Sequence, residues 1–112
     1  MRGQALKGHL DGMLLAALED GPLHGYAIME SLRVGSAGRF DLPTGTIYPA
    51  LRRLERAGLV RTRWSEDGGR RRRFYELTPA GRRMLDAERH AWAEFSAAVT
   101  ALLGPKPRAV TL

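Results

Sequence analysis

The sequence contains no cysteine and no apolar run long enough to span a membrane. Without cysteine the chain cannot form disulfides or thiolate metal sites, and this usage favours a reducing cytoplasm. The most apolar run, MLLAAL at residues 13–18, is far shorter than the roughly 20 residues that a membrane span requires. The first residues, MRGQALKG, do not lead into a secretory signal. We therefore expect a cytoplasmic protein with no membrane partner.

The sequence also lacks the residue patterns of catalytic and metal sites. Its three histidines, His9, His24 and His90, fall in or beside different helical segments. No Ser, Asp or Glu motif accompanies them at the spacing of a catalytic triad, a zinc site or a phosphate-binding loop. Each is interpreted as a surface or capping histidine. We expect no enzymatic activity, no cofactor and no metal ion.

Positive charge is abundant but concentrated in one segment. The formal net charge is +6, from 18 lysines and arginines against 12 acidic residues. Residues 52–73 hold nine arginines and three acids, and the rest of the chain carries nine charges of each sign. Such a local basic stripe is typical of proteins that bind a polyanion, and arginine suits bidentate contacts with phosphate or guanine. The alternative is a solvated charged surface, in which the two signs are usually interspersed.

Apolar periodicity and turn signals divide the chain into a short series of elements. We predict a first helix over residues 6–19 and a second over residues 25–34, separated by EDGPLHG. A third helix lies within residues 42–60, LPTGTIYPALRRLERAGLV. Two strands, LVRTRWS and RRFYELT, flank the hairpin signal EDGGR. The second helix is expected to bury Tyr26, Met29 and Leu32 or their close neighbours.

The last helix has strong boundary signals. Thr78 is the predicted N-cap, Pro79 the first helical residue, and Gly104 with Pro105 ends the helix after Leu103. The order of three helices, a hairpin and a further helix predicts a mainly α fold with a small β-hairpin. This is a winged helix-turn-helix followed by a long C-terminal helix, in which the third helix enters the DNA major groove. The winged helix-turn-helix domain is assigned to residues 5–78, and residues 104–112 are expected to form a disordered tail.

The third helix carries two poor helix formers, Gly45 and Pro49, in its first two turns. At about 100° per residue, both fall on the face opposite the predicted core residues. The core face is assigned to Ile47, Ala50, Leu51 and Leu54, and the outward face to Gly45, Pro49, Arg52, Arg56 and, toward one edge, Arg53. A glycine on an outward face lets a phosphate or base edge approach the backbone, so this face has the features of a docking surface.

Both ends of this third helix carry capping signals. Thr44 is the expected N-cap. At the other end, Gly58 is expected to take the left-handed C′ position while Leu59 folds back on Leu54.

Three segments, PLHGYAIMESL, GTIYPALRRLERAGLV and RRRRFYELTPAG, resemble in order and spacing the PadR family of bacterial transcriptional regulators. The likeness covers about residues 5–103 and is to the short form with a single C-terminal helix. It implies a homodimeric winged-helix repressor whose recognition helix begins near GTIYPAL and whose last helix forms the dimer. In some members it also implies an aromatic or other planar effector. The arginine-dense wing is heavier than the mixture of Arg and Lys that is usual in the family.

The predicted partner is double-stranded DNA carrying a pseudo-palindromic operator. Arg52, Arg53 and Arg56 are the best candidates for contacts with base edges and phosphates. Resemblance to the tyrosine of the family's YP pair suggests that the Tyr48 hydroxyl reaches a phosphate, with a packing role as the alternative. Thr44 and Thr46 either contact DNA or act as caps. The full set of candidate DNA contacts is Thr44, Gly45, Thr46, Tyr48, Pro49, Arg52, Arg53, Arg56, Arg70, Arg71 and Arg72.

The wing cannot present all its arginines to DNA, because successive residues of a strand point to opposite sides. Among residues 70–73 we favour the first three as minor-groove or phosphate contacts. The alternative is that some of them pair with Glu66 or Asp67. Trp64 and Tyr75 are predicted to belong to the core.

In the C-terminal helix, residues 79–103, apolar positions recur at steps of three and four, the spacing of a coiled-coil seam. A helix of about 25 residues extends roughly 37 Å at 1.5 Å per residue, further than a small three-helix core covers. We therefore predict a homodimer formed through Leu85, Trp92, Phe95, Val99 and Leu102, with Glu88 as the polar member of the series. Trp92 and Phe95 are also candidate contacts to a planar effector, and a place in the dimer core is the competing role of Trp92.

The predicted function is sequence-specific, ligand-responsive regulation of transcription by a homodimeric repressor. The competing hypothesis is a non-specific basic nucleic-acid-binding protein, either architectural or RNA-binding, that uses its arginines without sequence choice. The sequence lacks the aromatic platform of sheet-based RNA readers.

Overall fold

The computed structural model describes the backbone of residues 3–105 and the side chains of residues 8–105. Within this part of the chain the elements are α1 Gly3–Ala17, β1 Leu23–His24, α2 Gly25–Gly35, α3 Thr44–Arg56, β2 Val60–Asp67, β3 Arg70–Leu77 and α4 Pro79–Leu103. The order confirms the predicted winged helix-turn-helix with a long C-terminal helix. One element, the short strand β1, is additional. Most of the predicted disordered tail, from residue 106 onward, lies outside the described residues.

One hydrophobic core joins α1, α2, α3, the sheet and the first half of α4. Its largest fully buried side chains are Leu14, Leu15, Leu18, Ile28, Ile47, Leu51, Leu54 and Val60. In α2 the expected burial of Leu32 is confirmed and Met29 is partly buried, but Tyr26 is 69% exposed. Ile28 takes the inward position instead, because residues four apart, such as Ile28 and Leu32, share one face of a helix.

The wing is part of a three-stranded antiparallel sheet in the order β1-β3-β2. β2 pairs with β3 along its whole length, as far as Asp67 opposite Arg70. The loop between them is Gly68 and Gly69, with φ of 59° and 81°. Two central residues with positive φ define the type I′ turn, which matches the twist of a hairpin and which glycine adopts without strain. The predicted hairpin is confirmed.

The start of α4 is fixed against the connection between α3 and β2. The Thr78 hydroxyl accepts a hydrogen bond from the Gly81 amide at 3.0 Å and donates one to the Gly58 carbonyl at 2.6 Å. A Cβ on Gly81 would overlap the carbonyl oxygen of Leu59, so the two backbones pack directly against each other. The predicted N-cap and the first helical proline, Pro79, are confirmed.

A bidentate ion pair ties the middle of α4 to the turn after α1. The two terminal nitrogens of Arg89 donate to the two carboxylate oxygens of Glu19 at 2.6 and 2.7 Å. These hydrogen bonds and, to a lesser extent, the charges of Arg89 and Arg82 hold the pKa of the Glu19 carboxyl below its ordinary value of 4.5, against the opposing effect of burial. The pair therefore helps to set the direction in which α4 leaves the winged domain.

Candidate nucleic-acid interface

The first turn of α3 is capped differently from the prediction. The N-cap is Pro43, in an extended conformation, and Thr44 is the first helical residue rather than the cap. The Pro43 carbonyl accepts hydrogen bonds from the amides of Thr46 and Ile47 at 3.0 and 3.1 Å. A proline suits this position because its fixed φ ends the incoming loop and it has no N–H to satisfy. The amides of Thr44 and Gly45 lie before the first helical acceptor and are left for a ligand or water.

The end of α3 is closed as predicted. Gly58 has a φ of 74°, its amide donates to the Glu55 carbonyl, and the Leu59 amide donates to the Leu54 carbonyl, both at 3.0 Å. These are the two hydrogen bonds of a Schellman motif, which needs a left-handed residue at Gly58. The helix is thus held at a defined length beside the wing.

The division of α3 into a core face and an outward face is confirmed. Ile47, Ala50, Leu51 and Leu54 are buried, and Gly45, Pro49, Arg52, Arg53 and Arg56 are exposed. A Cβ on Gly45 would meet no atom within 4 Å, so the space in front of this backbone is open. Arg53 pairs with Asp11 of α1. Arg52 and Arg56 join none of the ion pairs found among residues 8–105.

Tyr48 packs against the core, in agreement with the alternative role considered for it. Its ring and hydroxyl lie against Gly25, where an added Cβ would overlap the hydroxyl oxygen. Gly25 is the first residue of α2, and the preceding His24 caps that helix by accepting a hydrogen bond from the Ala27 amide on Nδ1 at 3.2 Å. The Tyr48 hydroxyl is therefore placed at the N-terminus of α2.

The strand register divides the wing arginines between the two faces of the hairpin. Cross-strand neighbours share a face, and Trp64 pairs with Arg73 while Glu66 pairs with Arg71. The face that carries these residues is turned toward α3, because Arg73 contacts Glu55 at 3.3 Å. Arg70 and Arg72 lie on the opposite face. The three arginines favoured from the sequence are therefore not on one surface.

The Arg72 side chain is held by contacts within its own chain. Its side chain is 29% exposed, and it approaches Asp67 at 3.7 Å and the Nε2 atom of His24 at 3.5 Å. Its Nε atom is buried without a hydrogen-bond partner among the described residues. The pairing with Asp67 is the alternative that the sequence left open. His24 confirms the expected capping role and also connects the wing to α2.

Of the two aromatic residues assigned to the core, one assignment is confirmed and one is wrong. Tyr75 is buried, and this burial raises the pKa of its phenol above the ordinary value of 10.0, with the charge of Arg73 acting in the opposite direction. Trp64 is 58% exposed because it lies on β2 beyond the part of the hairpin that α3 covers. Instead, the guanidinium carbon of Arg71 lies 5.0 Å from the centre of its ring.

One of the α4 residues predicted to form a dimer is buried within its own chain. Leu85 is only 3% exposed and packs in the core of its own protomer, so it is not available to a partner. Leu85 is buried because α1 packs against this half of α4, and His9 of α1 also contacts Trp92. Trp92, Phe95 and Leu102 are exposed and Val99 is partly buried. Among residues 8–105, Trp92, Phe95 and Leu102 therefore form an apolar face that the rest of the described chain leaves exposed.

A cavity of about 370 Å³ lies between α1 and α4. Its lining includes Met13, Phe40, Leu85, Glu88 and Trp92. The Trp92 ring forms edge contacts with His9, at 4.9 Å between ring centres, and lies 6.0 Å from Phe95. The two candidate effector contacts are thus adjacent, but only Trp92 lines the cavity.

The same part of the chain holds no candidate metal site and no membrane-spanning helix. Residues 3–105 contain no group of three His, Asp or Glu side chains arranged to hold a metal ion. None of the described helices combines the length and the hydropathy needed to cross a bilayer. His90 is exposed and faces Glu94 at 3.2 Å, one turn along α4.

The comparisons with known proteins agree with this geometry. The model of the PadR-like family of transcriptional regulators matches residues 14–87. The chain belongs to this family. PadR regulators bind DNA and act as dimers, and they are not enzymes, so the predicted family, fold class and lack of enzymatic activity are confirmed.

Solved PadR structures are similar over nearly the whole chain. A PadR-like regulator from Bacillus cereus is 27% identical, with a TM-score of 0.82 over 93% of this chain and 100% of that one. A PadR family regulator from Clostridium difficile is 30% identical, with a TM-score of 0.77 over 87% of this chain and 100% of that one.

Sequence relatives include proteins of different length. A transcriptional regulator from Mycobacterium tuberculosis is 38% identical over 69% of each chain. An uncharacterized 37.1 kDa protein in a transposon of Streptomyces fradiae is 48% identical over 78% of this chain but only 24% of its own length. The present chain therefore spans about a quarter of that relative.

Proposed function

We propose that this PadR-like protein is a homodimeric, ligand-responsive repressor that binds a pseudo-palindromic operator with α3 in the major groove. The observation that carries the proposal is the outward face of α3, where an open glycine backbone lies beside arginines. The proposed contacts are Thr44, Gly45, Thr46, Tyr48, Pro49, Arg52, Arg53 and Arg56 of α3, with Arg70 and Arg71 of the wing and Arg72 as a partly buried neighbour.

Gly45 makes a close approach to DNA physically reasonable. The space that its Cβ would occupy is open, and the amides of Thr44 and Gly45 point out of the helix N-terminus. A helix N-terminus attracts phosphate because its free N–H groups and its dipole both favour negative charge. The exposed guanidinium groups of Arg52 and Arg56 lie about two and three turns further along the same face.

The arginine face is tested by DNA binding at several salt concentrations. We expect Arg52→Ala and Arg56→Ala each to lower the slope of log affinity against log salt by about one if the arginine contacts a phosphate. A base-reading arginine costs about 1–3 kcal/mol at one base pair and relaxes specificity there. Arg83→Ala is the matched control, because Arg83 is exposed on α4 opposite Trp92. Unchanged slope and specificity in both variants would reject this face.

Gly45→Ala separates DNA binding from stability. Because the site is open, alanine should leave the fold intact and raise the free energy of unfolding by as much as about 1 kcal/mol through helix propensity. The methyl group should at the same time weaken DNA binding, and Gly45→Leu should abolish it. Tight binding by Gly45→Leu would contradict the proposed approach.

Equal affinity for operator, random duplex and structured RNA would favour the non-specific alternative.

The exposed apolar face of α4 supports the homodimer. Trp92, Phe95 and Leu102 present exposed apolar surface on α4, with Val99 partly buried beside them, and a second copy of the same face is a partner of matching chemistry. A two-fold axis here places two α3 helices on one side of the molecule, able to meet half-sites about one helical turn apart. Sedimentation should find a dimer at micromolar concentration. A stable wild-type monomer would refute this assembly.

Ligand response is proposed at Trp92, with Phe95 as its neighbour. The cavity between α1 and α4 has the size and the apolar lining of a small-molecule site, and an indole offers a flat surface to a planar or aromatic effector. Trp92→Ala distinguishes this role from packing. If Trp92 only packs in the dimer, dimerisation and DNA binding should weaken together. If it contacts the effector, the dimer should persist while a planar inducer no longer releases DNA.

A further inference from the structure

The wing carries an exposed aromatic residue that the DNA contacts described above do not use. Trp64 is 58% exposed, and the guanidinium carbon of Arg71 lies 5.0 Å from its ring centre. Arg71 is diagonal to Trp64 across the hairpin, because Trp64 pairs with Arg73 and Glu66 with Arg71. Diagonal neighbours on one face are within reach of aromatic and long side chains. The register thus brings these two residues together.

Arg71 lies over the Trp64 ring although its direct neighbour on the opposite strand is an acidic residue. Glu66 is directly opposite, yet no ion pair joins the two among the described residues. A guanidinium is weakly hydrated and stacks on aromatic rings, and such stacking leaves the N–H donors at its edge available. The stack therefore restricts the direction of the side chain without occupying its hydrogen-bond donors.

Two of the neighbouring arginines contact other residues of the protein. Arg72 approaches Asp67 and His24, and Arg73 contacts Glu55 and Thr62. Arg70 adjoins the turn. Among residues 70–73, Arg71 is therefore the arginine that is both exposed and oriented by a rigid neighbour, on the hairpin face turned toward α3.

We infer that Trp64 is a positioning residue that holds Arg71 as a reader of a narrow minor groove next to the site bound by α3. A·T-rich tracts have a narrow minor groove with enhanced negative potential, which favours an inserted arginine. An arginine already oriented by the indole loses less side-chain freedom when it inserts. The expected consequence is a preference for A·T base pairs flanking the major-groove motif. This inference rests on the proposed docking of α3.

The test uses the full chain and a duplex library with 40 randomised base pairs. Wild type, Trp64→Ala and Trp64→Phe each select sequences, and Arg63→Ala is the control because Arg63 is an exposed wing arginine on the opposite face. We expect wild type and the control to enrich one motif flanked by A·T tracts. Trp64→Ala should enrich the same motif without the tracts, and Trp64→Phe should restore part of the preference.

Affinities for two selected duplexes, with the same motif and either A·T or G·C flanks, quantify the effect. Trp64→Ala should lower the ratio of the two affinities about two- to fivefold, the factor expected from one exposed cation–π contact. If Trp64 has only a structural role, Trp64→Ala should weaken binding to both duplexes equally, and this result would overturn the inference. A Trp64→Ala selection that still enriches A·T flanks would also overturn it. If wild type enriches no motif at all, the proposed docking of α3 fails and this inference fails with it.

Discussion

Gly25→Ala tests whether the contact between Gly25 and Tyr48 sets the spacing of α2 and α3. Gly25 is the first residue of α2, and a Cβ there would overlap the Tyr48 hydroxyl oxygen. It would also lie 2.6 Å from Cζ and 2.8 Å from Cε1 of the same ring. Relief requires the partly buried tyrosine to move away from the core or α2 to shift.

The expected cost follows from two opposing effects. Overpacking of a well-packed site typically costs about 1–3 kcal/mol. Alanine is favoured over glycine by as much as about 1 kcal/mol inside a helix, and by less at its first residue. We therefore expect Gly25→Ala to lower the free energy of unfolding by about 1–2 kcal/mol, since the steric cost exceeds the gain in propensity.

The assay is urea unfolding at one fixed protomer concentration, because dimerisation makes apparent stability depend on concentration. Tyr48→Phe removes the atom nearest to the added methyl, so Gly25→Ala should cost less in that background. We expect a coupling of at least about 0.5 kcal/mol between the two sites. Gly45→Ala, at an open position of α3, serves as the control and should lose no stability. Additive effects of the two substitutions would refute the proposed contact.

Three further predictions concern the placement of α4. Gly81→Ala should destabilise the protein by about 3 kcal/mol or more in urea unfolding, because the Leu59 carbonyl that its Cβ would meet is backbone and cannot rotate away; a neutral result would contradict the close packing. Thr78→Ala should cost about 1 kcal/mol through loss of the N-cap, measured in the same way, and a stability equal to that of wild type would show the cap to be dispensable. The lowered pKa of Glu19 means that its pair with Arg89 stabilises the fold above pH 4.5, and that this contribution is lost as the pH falls through and below 4.5. Glu19→Gln should therefore flatten the acid limb of stability against pH, and an unchanged limb would assign that limb to other carboxylates.

The candidate interface was predictable where local chemistry decides the outcome. In α3 the 3.6-residue period places the arginines opposite the core face, and the sequence Ala-Gly-Leu after Arg56 closes the helix as expected. The two glycines between Asp67 and Arg70 similarly require a tight hairpin. The strand β1 was missed because its two residues carry no periodicity and are recognisable only through their pairing with β3.

The sequence by itself determined the order of the helices and the hairpin, the core face of α3, the hairpin turn and the start of α4, because each depends on residues close together in the chain. Only the tertiary structure decided which long side chains are buried or contact other elements and which are exposed. Leu85 lies in the protomer core because α1 covers the first half of α4, and Trp64 is exposed because β2 extends beyond α3. Arg72 of β3 contacts His24 of β1, although the two residues are 48 positions apart in the sequence. Such contacts depend on how the elements pack, and periodicity within one element carries no information about them.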